Sequence, residues 1–212
     1  MKKKLLINYW NSYYNNNIKF KESSFARFVK KKINKVKKNA KLIDIGCGNG
    51  RDSNFFSKKG FNVTGIDISQ KAIEKNSKNK IKNLSFKKFD IGKDKIKDKF
   101  DIIYCRFFVH TVDELLEDKL IRLIKNSHKK NAIAFFEFRN FKDKIFGNFK
   151  AKDHNRVIEF EQGHFRRIID PKIFKKKFMT ETKSKIVYEK SGVNLSIVKK
   201  DNPNLSRMVF KF

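Results

Sequence analysis

The sequence predicts an α/β fold, with an open sheet that carries helices on both faces. Two observations support this fold class. An apolar run at residues 42–45 leads into three closely spaced glycines and a helical pattern, which together read as a strand–turn–helix unit. Five apolar runs, each suited to a strand, alternate with helical patterns. The chain closes with two further apolar runs that have no obvious helix between them. The length suits one domain, residues 1–212, and is short for two.

Residues 1–40 are expected to form a helical cap ahead of the sheet. An aromatic cluster falls on one side of its first helix: Tyr9, Trp10, Tyr13 and Tyr14. This side either packs on the core or forms a lid over an active site. Ser23 or Ser24 can cap a second helix, whose apolar face should lie against the sheet.

The turn after the first strand has the pattern Asp-x-Gly-x-Gly-x-Gly, from Asp44 to Gly50. Glycine allows the backbone to turn sharply and to approach a ligand closely. A phosphate-binding P-loop needs a Lys-Ser/Thr pair after its last glycine, and a dinucleotide fingerprint needs glycine at the position of Arg51. Neither requirement is met. The pattern instead resembles the first motif of the class I S-adenosylmethionine-dependent methyltransferases.

Acidic residues follow the next two predicted strands, at residues 61–66 and 84–89. Asp67 can accept hydrogen bonds from both hydroxyls of a ribose, or it can serve as a helix cap before Ser69. The resemblance implies that Asp90 accepts a hydrogen bond from an adenine amino group. The alternative is a turn-forming role for Asp90, ahead of Gly92.

The resemblance extends over residues 41–212 and implies a seven-stranded Rossmann-like methyltransferase sheet whose last strand is antiparallel. It implies S-adenosylmethionine as the cofactor. The residues expected to bind this cofactor are Asp44, Gly46, Cys47, Gly48, Gly50, Asp67, Ile68, Asp90, Ile91 and Arg106.

The second half of the chain completes the sheet. The fourth and fifth strands are predicted at residues 100–106 and 132–138, with a helix between them that Thr111 or Asp113 caps. Residues 139–165 show no clear periodicity and are expected to form a loop on the acceptor side. A short helix begins near Pro171, and the closing strands fall at residues 185–190 and 208–212.

His110 follows the fourth strand, where a methyl acceptor would meet the methyl group. It is a candidate general base, and the alternative is a histidine packed beneath the cofactor and bonded to backbone. Tyr13 and Tyr14 are the other catalytic candidates. We expect no metal site, because no pair of histidines or cysteines has the spacing of metal ligands. Cys105 alternates within a strand and is expected to be a buried thiol.

Two adjacent arginines, Arg166 and Arg167, precede a helix in a chain that otherwise prefers lysine. Arginine binds phosphate-like groups through a two-pronged contact that lysine cannot make. A surface ion pair with Glu159 or Glu161 is the alternative.

The phrase HFRRIID resembles a subgroup of class I methyltransferases, as do YW-x-x-YY near the start and GNGRDS in the loop. Some members of that subgroup O-methylate phosphonates or phosphoramidate-type groups. The resemblance implies that Tyr13 or Tyr14, together with Arg166 or Arg167, meets an anionic acceptor. His164, in the same HFRRIID segment, is a further candidate for binding the substrate.

The net charge of +30 comes from lysines spread along the whole chain, beside abundant asparagine. A solvated basic surface accounts for this pattern, and no specific nucleic-acid partner is expected. The apolar run near the start is too short for a signal or a membrane span, and the two cysteines fit a cytoplasmic setting.

The sequence therefore predicts an O-methyltransferase that acts on a small anionic acceptor. The alternatives are an RNA methyltransferase that uses its basic surface, and a catalytically degenerate partner protein that binds the cofactor.

Overall fold

Seven strands form one central sheet in a computed structural model of the chain. The structure describes residues 2–15, 21–36, 38–78, 80–160, 164–197 and 201–212. The helices are α1 (Lys2–Tyr13), α2 (Ser24–Lys32), α3 (Arg51–Lys58), α4 (Gln70–Asn76), α5 (Glu114–Ser127) and α6 (Pro171–Thr182). The strands are β1 (Lys41–Ile45), β2 (Asn62–Asp67), β3 (Leu84–Lys88), β4 (Phe100–Arg106), β5 (His128–Arg139), β6 (Val157–Glu159), β7 (Phe165–Arg167), β8 (Lys185–Gly192) and β9 (Leu205–Lys211). Short 3-10 helices lie at Val109–Thr111, Lys144–Phe146 and Ala151–Asp153.

The strand order of the sheet is β3-β2-β1-β4-β5-β9-β8. Strands β1 to β5 pair in parallel, and β9 is antiparallel to both β5 and β8. This confirms the predicted seven-stranded sheet with an antiparallel last strand. The chain moves outward from β1 to β3 and then returns to β4, so the strand order reverses between β1 and β4. In open α/β sheets such a reversal opens a crevice at the carboxyl ends of the strands.

Apolar side chains cover both faces of the sheet. On one face α2 and α3 pack against alternate residues of the strands, among them Leu42, Tyr104 and Phe135. On the other face α5 and α6 pack against the residues between, such as Ile43 and Phe136. The strands are buried on both sides because helices cover both faces.

A buried hydrogen-bond network joins the N-terminal helices to the sheet. Ser23 caps α2 by accepting the backbone N–H of Ala26. The backbone N–H and the hydroxyl of Ser23 both donate to Asp52 at 2.7 Å, and the Tyr104 hydroxyl donates to the same carboxylate at 2.6 Å. Asp52 thereby ties α2, α3 and β4 together.

The segment predicted as a loop at residues 139–165 contains more structure than its pattern indicates. Two 3-10 helices lie in it, and β6 pairs with β7 as a small antiparallel sheet. Strand β5 begins at His128, earlier than predicted, and α6 reaches Thr182. Asp113 is the residue that caps α5. Among the described residues, no helix combines the length and the apolar character that crossing a membrane requires.

Candidate active site

A pocket lies at the crevice between the carboxyl ends of β1 and β4, and its empty volume of about 490 Å³ includes space open to solvent. Its lining residues come from α1, from the ends of β1, β2 and β3, and from the segment after β4. They are Leu6, Trp10, Ile45, Gly46, Ile66, Asp67, Ile68, Phe89, Asp90, Ile91, Phe108, Thr111, Val112 and Leu116. The pocket is mostly apolar, and two carboxylates lie in its wall. This is the usual composition of a small-molecule site.

The glycine loop forms one wall of this crevice. Gly46 has φ +72°, and a Cβ there would lie 2.6 Å from the Phe108 ring. Gly48 has φ +52°, and a Cβ there would lie 2.9 Å from Cζ of Tyr14. Both positions therefore require glycine, because each has a left-handed backbone conformation and an aromatic ring packed where a Cβ would lie.

Asp67 lies in the pocket wall at the end of β2. One carboxylate oxygen accepts the backbone N–H of Gly48 at 2.9 Å, and the other accepts that of Ser69 at 2.9 Å. Burial raises the pKa of Asp67, and these backbone donors partly offset the rise. The two hydrogen bonds orient the carboxylate, and each oxygen keeps lone-pair capacity for a ligand hydroxyl.

Asp90 lies in the same wall, between Ile91 and the end of β3, and accepts the backbone N–H of Gly92 at 2.9 Å. Ile68, Ile91 and Phe108 supply the apolar surface around the two carboxylates. Apolar space beside carboxylates that can accept from hydroxyl and amino groups matches the chemistry of a purine nucleoside. The residues present thus fit the adenosine part of the predicted cofactor.

The remaining predicted cofactor residues surround the pocket without lining it. Asp44 is buried beneath the loop and accepts the Ser53 hydroxyl at 2.5 Å. Its burial raises the pKa to about 7. Cys47 is also buried, and burial raises the pKa of its thiol. Gly50 precedes α3 with φ +69°, and Arg106 is held by an ion pair to Glu137 at 2.9 Å. These residues hold the glycine loop and the end of β4 in place through buried contacts and do not themselves line the pocket.

Two of the predicted acceptor residues, in β7 and just before it, contact side chains of α1. The rings of Tyr9 and His164 stack with centroids 4.2 Å apart, and the Arg166 guanidinium lies 5.7 Å from the centroid of Trp10. Trp10 also lines the pocket at the crevice. The structure therefore brings two predicted acceptor residues, His164 and Arg166, next to the predicted cofactor site.

Arg166 is partly buried, and burial lowers its pKa. Its guanidinium donates to the backbone carbonyl of Phe165 at 2.9 Å. Tyr9 lies close enough for its phenol and Arg166 to interact electrostatically. Within the described residues, no carboxylate lies within ion-pair distance of Arg166, which sets it apart from its neighbour in the chain. Glu161, one of the two partners that the ion-pair alternative names, lies outside the described residues.

Arg167 is fully buried and does not line the pocket. It forms an ion pair with Glu117 of α5 and donates to the backbone carbonyls of Val112, at 2.9 Å, and Val109, at 3.3 Å. It also donates to the Asn155 side chain. These contacts correct the expectation that either arginine could meet the acceptor, because the donors of Arg167 are used inside the fold.

His110 lies in the 3-10 helix after β4 and is buried. Its Nδ1 accepts the backbone N–H of Arg139 at 3.3 Å. Burial lowers the pKa of His110 well below its usual value, and the charges of Arg166, Arg139, Arg167 and Arg106 lower it further. The imidazole is therefore neutral, and one of its nitrogens is bonded to backbone, as the alternative interpretation expects.

The two candidate tyrosines lie at the end of α1 and directly after it. Tyr13 is exposed at the end of α1, and its ring packs edge-on against Tyr14. Tyr14 packs on Gly48, and burial together with the charge of Asp67 raises the pKa of its phenol well above the usual value. Tyr14 thus lies against the glycine loop, near Asp67.

The family model for a methyltransferase domain matches residues 16–176, which is most of the chain. The chain belongs to the class I S-adenosylmethionine-dependent methyltransferases. Its cofactor is accordingly S-adenosylmethionine. In this methyltransferase, five of the predicted cofactor residues line the pocket: Gly46, Asp67, Ile68, Asp90 and Ile91.

The methyltransferase also resembles individual proteins. It is 36% identical over 124 residues to a ubiquinone biosynthesis O-methyltransferase of Pelagibacter ubique, covering 57% of this chain and 50% of that protein. The chain spans about half the length of the curated relatives it matches.

Among solved structures, a methyltransferase from Anabaena variabilis has a TM-score of 0.70 and 20% identity, covering 98% of this chain and 93% of that one. The glycopeptide N-methyltransferase MtfA, complexed with S-adenosylhomocysteine, has a TM-score of 0.70 and 9% identity, covering 93% and 92%. At these identities the likeness concerns the fold.

Sequence reasoning missed several residues of the methyltransferase site. Trp10 and Leu6 line the pocket from α1, and Phe108 packs on Gly46. The aromatic cluster near the start was the available signal, but it did not indicate which of its members would face the pocket. Arg139, which orients His110, gives no signal in the sequence because its contribution is a backbone N–H.

Proposed function

We propose that this methyltransferase transfers a methyl group to an oxygen of a small anionic acceptor, which Arg166 binds. The observation that carries the proposal is the absence of a carboxylate partner for Arg166 within the described residues. Four neighbouring arginines have such partners: Arg106 and Arg207 pair with Glu137, Arg139 with Asp143, and Arg167 with Glu117. Because a guanidinium removed from water needs compensation, an anionic ligand is the natural partner of Arg166.

The position of Arg166 supports the same assignment. Its guanidinium lies over Trp10, and Trp10 is in turn part of the cofactor pocket. An oxyanion held by Arg166 would therefore lie beside the bound cofactor. Arg166 can hold a phosphonate, phosphoramidate, phosphate or carboxylate by two parallel N–H bonds, which fixes the orientation of the group.

The chain's own contribution to the reaction is mainly binding and alignment. When bound, S-adenosylmethionine supplies an electrophilic methyl group on a good leaving group. Asp67 and Asp90 would hold the nucleoside, and the apolar wall that contains Ile68 and Ile91 would exclude water from it. Holding two reactants in line contributes much of the acceleration in such displacements.

The comparison with known proteins supports oxygen as the methylated atom. The curated relative from Pelagibacter ubique is named an O-methyltransferase, and we extend that atom type to this chain. The anionic character of the acceptor is supported by Arg166, and by the resemblance of the HFRRIID segment to phosphonate and phosphoramidate O-methyltransferases.

The test is a screen for S-adenosylhomocysteine release with matched acceptors. Each anionic acceptor, namely a phosphonate, a phosphate monoester or a carboxylate, is paired with a neutral analogue of the same carbon skeleton. We expect turnover with at least one anion and none with its neutral analogue. Turnover only with neutral phenols, or only with RNA oligonucleotides, contradicts the proposal. The same mixtures without the protein are the control for background release.

A further inference from the structure

We propose that His110 is a fixed hydrogen-bond donor to the acceptor's oxyanion, and that the acceptor oxygen is methylated as an anion formed before it binds. This inference rests on the proposed function, since it concerns the same acceptor site. It assigns to His110 a role opposite to that of a general base.

The hydrogen bond from Arg139 decides which nitrogen of His110 carries the proton. A backbone N–H can only donate, so the Nδ1 atom that it contacts at 3.3 Å must present a lone pair. In a neutral imidazole the single hydrogen is then on Nε2. Because Nδ1 is occupied and Nε2 already carries hydrogen, neither nitrogen can take a proton from an acceptor.

The Nε2–H group is available for a ligand. It makes no hydrogen bond with any residue that the structure describes. Nε2 is also not a fully buried atom without a partner, so it keeps some accessible surface. The ring is held in place by burial and by an edge-on contact with Phe107, with centroids 5.8 Å apart. A donor that is oriented by the protein and left unpaired is suited to a negatively charged oxygen.

The charges around His110 favour the same outcome. The four charged groups that act most strongly on it are arginines from three strands: Arg106 of β4, Arg139 of β5, and Arg166 and Arg167 of β7. Three of them are paired with carboxylates, so Arg166 supplies the positive charge that has no carboxylate partner within the described residues. A positive charge there opposes an imidazolium, and it stabilises an oxyanion. A neutral hydroxyl acceptor would have to lose a proton that His110 cannot accept.

The proposed step balances without a proton. A lone pair of the acceptor oxyanion forms the new O–CH₃ bond while the C–S bond breaks. The electron pair of that bond stays on sulfur, which becomes neutral. The acceptor class is therefore one ionised at neutral pH, such as a phosphonate, a phosphate monoester or a carboxylate, and not a phenol or an alcohol.

The experiment is nitrogen NMR on isotopically labelled histidine, with the protein saturated with S-adenosylhomocysteine and methylphosphonate as the probe. The chain has four histidines. We expect His110 to show the Nε2–H tautomer and no titration between about pH 5.5 and 8.5. Addition of methylphosphonate should shift the Nε2 signal of His110. His154 is the matched control: its Nδ1 accepts the backbone N–H of Asp170 at 2.9 Å, so it should show the same tautomer and no response.

Two variants separate a donor from a structural residue. His110→Gln keeps an N–H group but cannot act as a base, so it should bind methylphosphonate within about threefold of the wild type. His110→Phe has no donor and should bind it about tenfold more weakly. An Nδ1–H tautomer, titration near neutral pH, or no response to methylphosphonate in a protein that binds S-adenosylhomocysteine would overturn the inference. Failure to bind S-adenosylhomocysteine would instead reject the proposed function itself.

Discussion

Arg166 and Arg167 are adjacent on β7, yet their guanidinium groups lie in different environments. Successive side chains of a strand point to opposite sides. Arg167 is fully buried and paired with Glu117, whereas Arg166 lies against Trp10 and has no carboxylate partner within the described residues. Arg167 thus stabilises the fold, and Arg166 is the arginine that we propose binds the acceptor.

The first prediction concerns Arg167 and stability. Arg167→Met leaves Glu117 buried without its main partner, which typically costs about 3–5 kcal/mol of unfolding free energy. We expect the lower end, since Lys177 lies 3.1 Å from the other oxygen of Glu117. Urea unfolding measures the loss. The exposed Arg156 provides the control: Arg156→Met should change stability by about 0.5 kcal/mol or less.

A double variant checks the cause of that loss. Arg167→Met combined with Glu117→Leu removes both charges and should recover most of the stability, because apolar replacements of buried pairs are often neutral. If Arg167→Met alone unfolds like the wild type, the ion pair contributes nothing and our account of β7 is wrong.

The second prediction concerns Asp67 and the cofactor. We expect the wild type to bind S-adenosylhomocysteine with micromolar affinity, about −8 kcal/mol. Asp67→Asn removes a charged acceptor in the pocket wall, so the affinity should fall by about 1–3 kcal/mol, or roughly 5- to 150-fold. Calorimetry measures both values. Asp98→Asn, which affects an exposed ion pair with Lys41 at the start of β1, should bind like the wild type. Equal affinities for all three proteins would reject the assignment of Asp67.

The third prediction concerns Asp44 and pH. Its burial raises the pKa from 3.8 to about 7, so the folded state binds a proton more tightly than the unfolded state does. By linkage, the protonated Asp44 contributes its full stabilisation of the folded state below about pH 4, and this stabilisation is lost as pH rises toward 7. The Asp44→Asn variant does not lose stability in this way, because the asparagine side chain does not titrate. Its stability relative to the wild type should therefore increase by on the order of 1 kcal/mol per pH unit in that range.

Urea unfolding of both proteins at several pH values measures this difference. A constant gap between variant and wild type from about pH 4 to 8 would show that Asp44 does not titrate as described.

The sequence predicted those parts of the site that depend on local spacing. The glycine loop and Asp67 belong to one strand–turn–helix–strand unit, so their spacing alone placed them together at the pocket. The environments of Arg166 and Arg167 could not be predicted in this way. Strands β6 and β7 have three residues each, which is too short for a readable alternation, and the partner Glu117 lies 50 residues earlier in the chain.

The contribution of α1 was only partly predictable. Its aromatic spacing indicated one functional side, but Trp10 lines the pocket while Tyr13 is exposed. Which ring faces inward depends on where α1 docks. That position depends on tertiary contacts such as the 2.9 Å hydrogen bond between Ser69 and Asn11 and the stacking of Tyr9 on His164.

The most direct test of the central claim is the effect of Arg166→Lys on methylation of the best anionic acceptor from the screen. Lysine keeps the charge but loses the two-pronged contact, so the activation free energy for kcat/KM of the acceptor should rise by about 1.5–3 kcal/mol. That rise lowers kcat/KM at least about tenfold. The affinity for S-adenosylhomocysteine should not change, and Arg156→Lys should methylate like the wild type. Normal acceptor kinetics in Arg166→Lys would contradict the claim that Arg166 binds the acceptor.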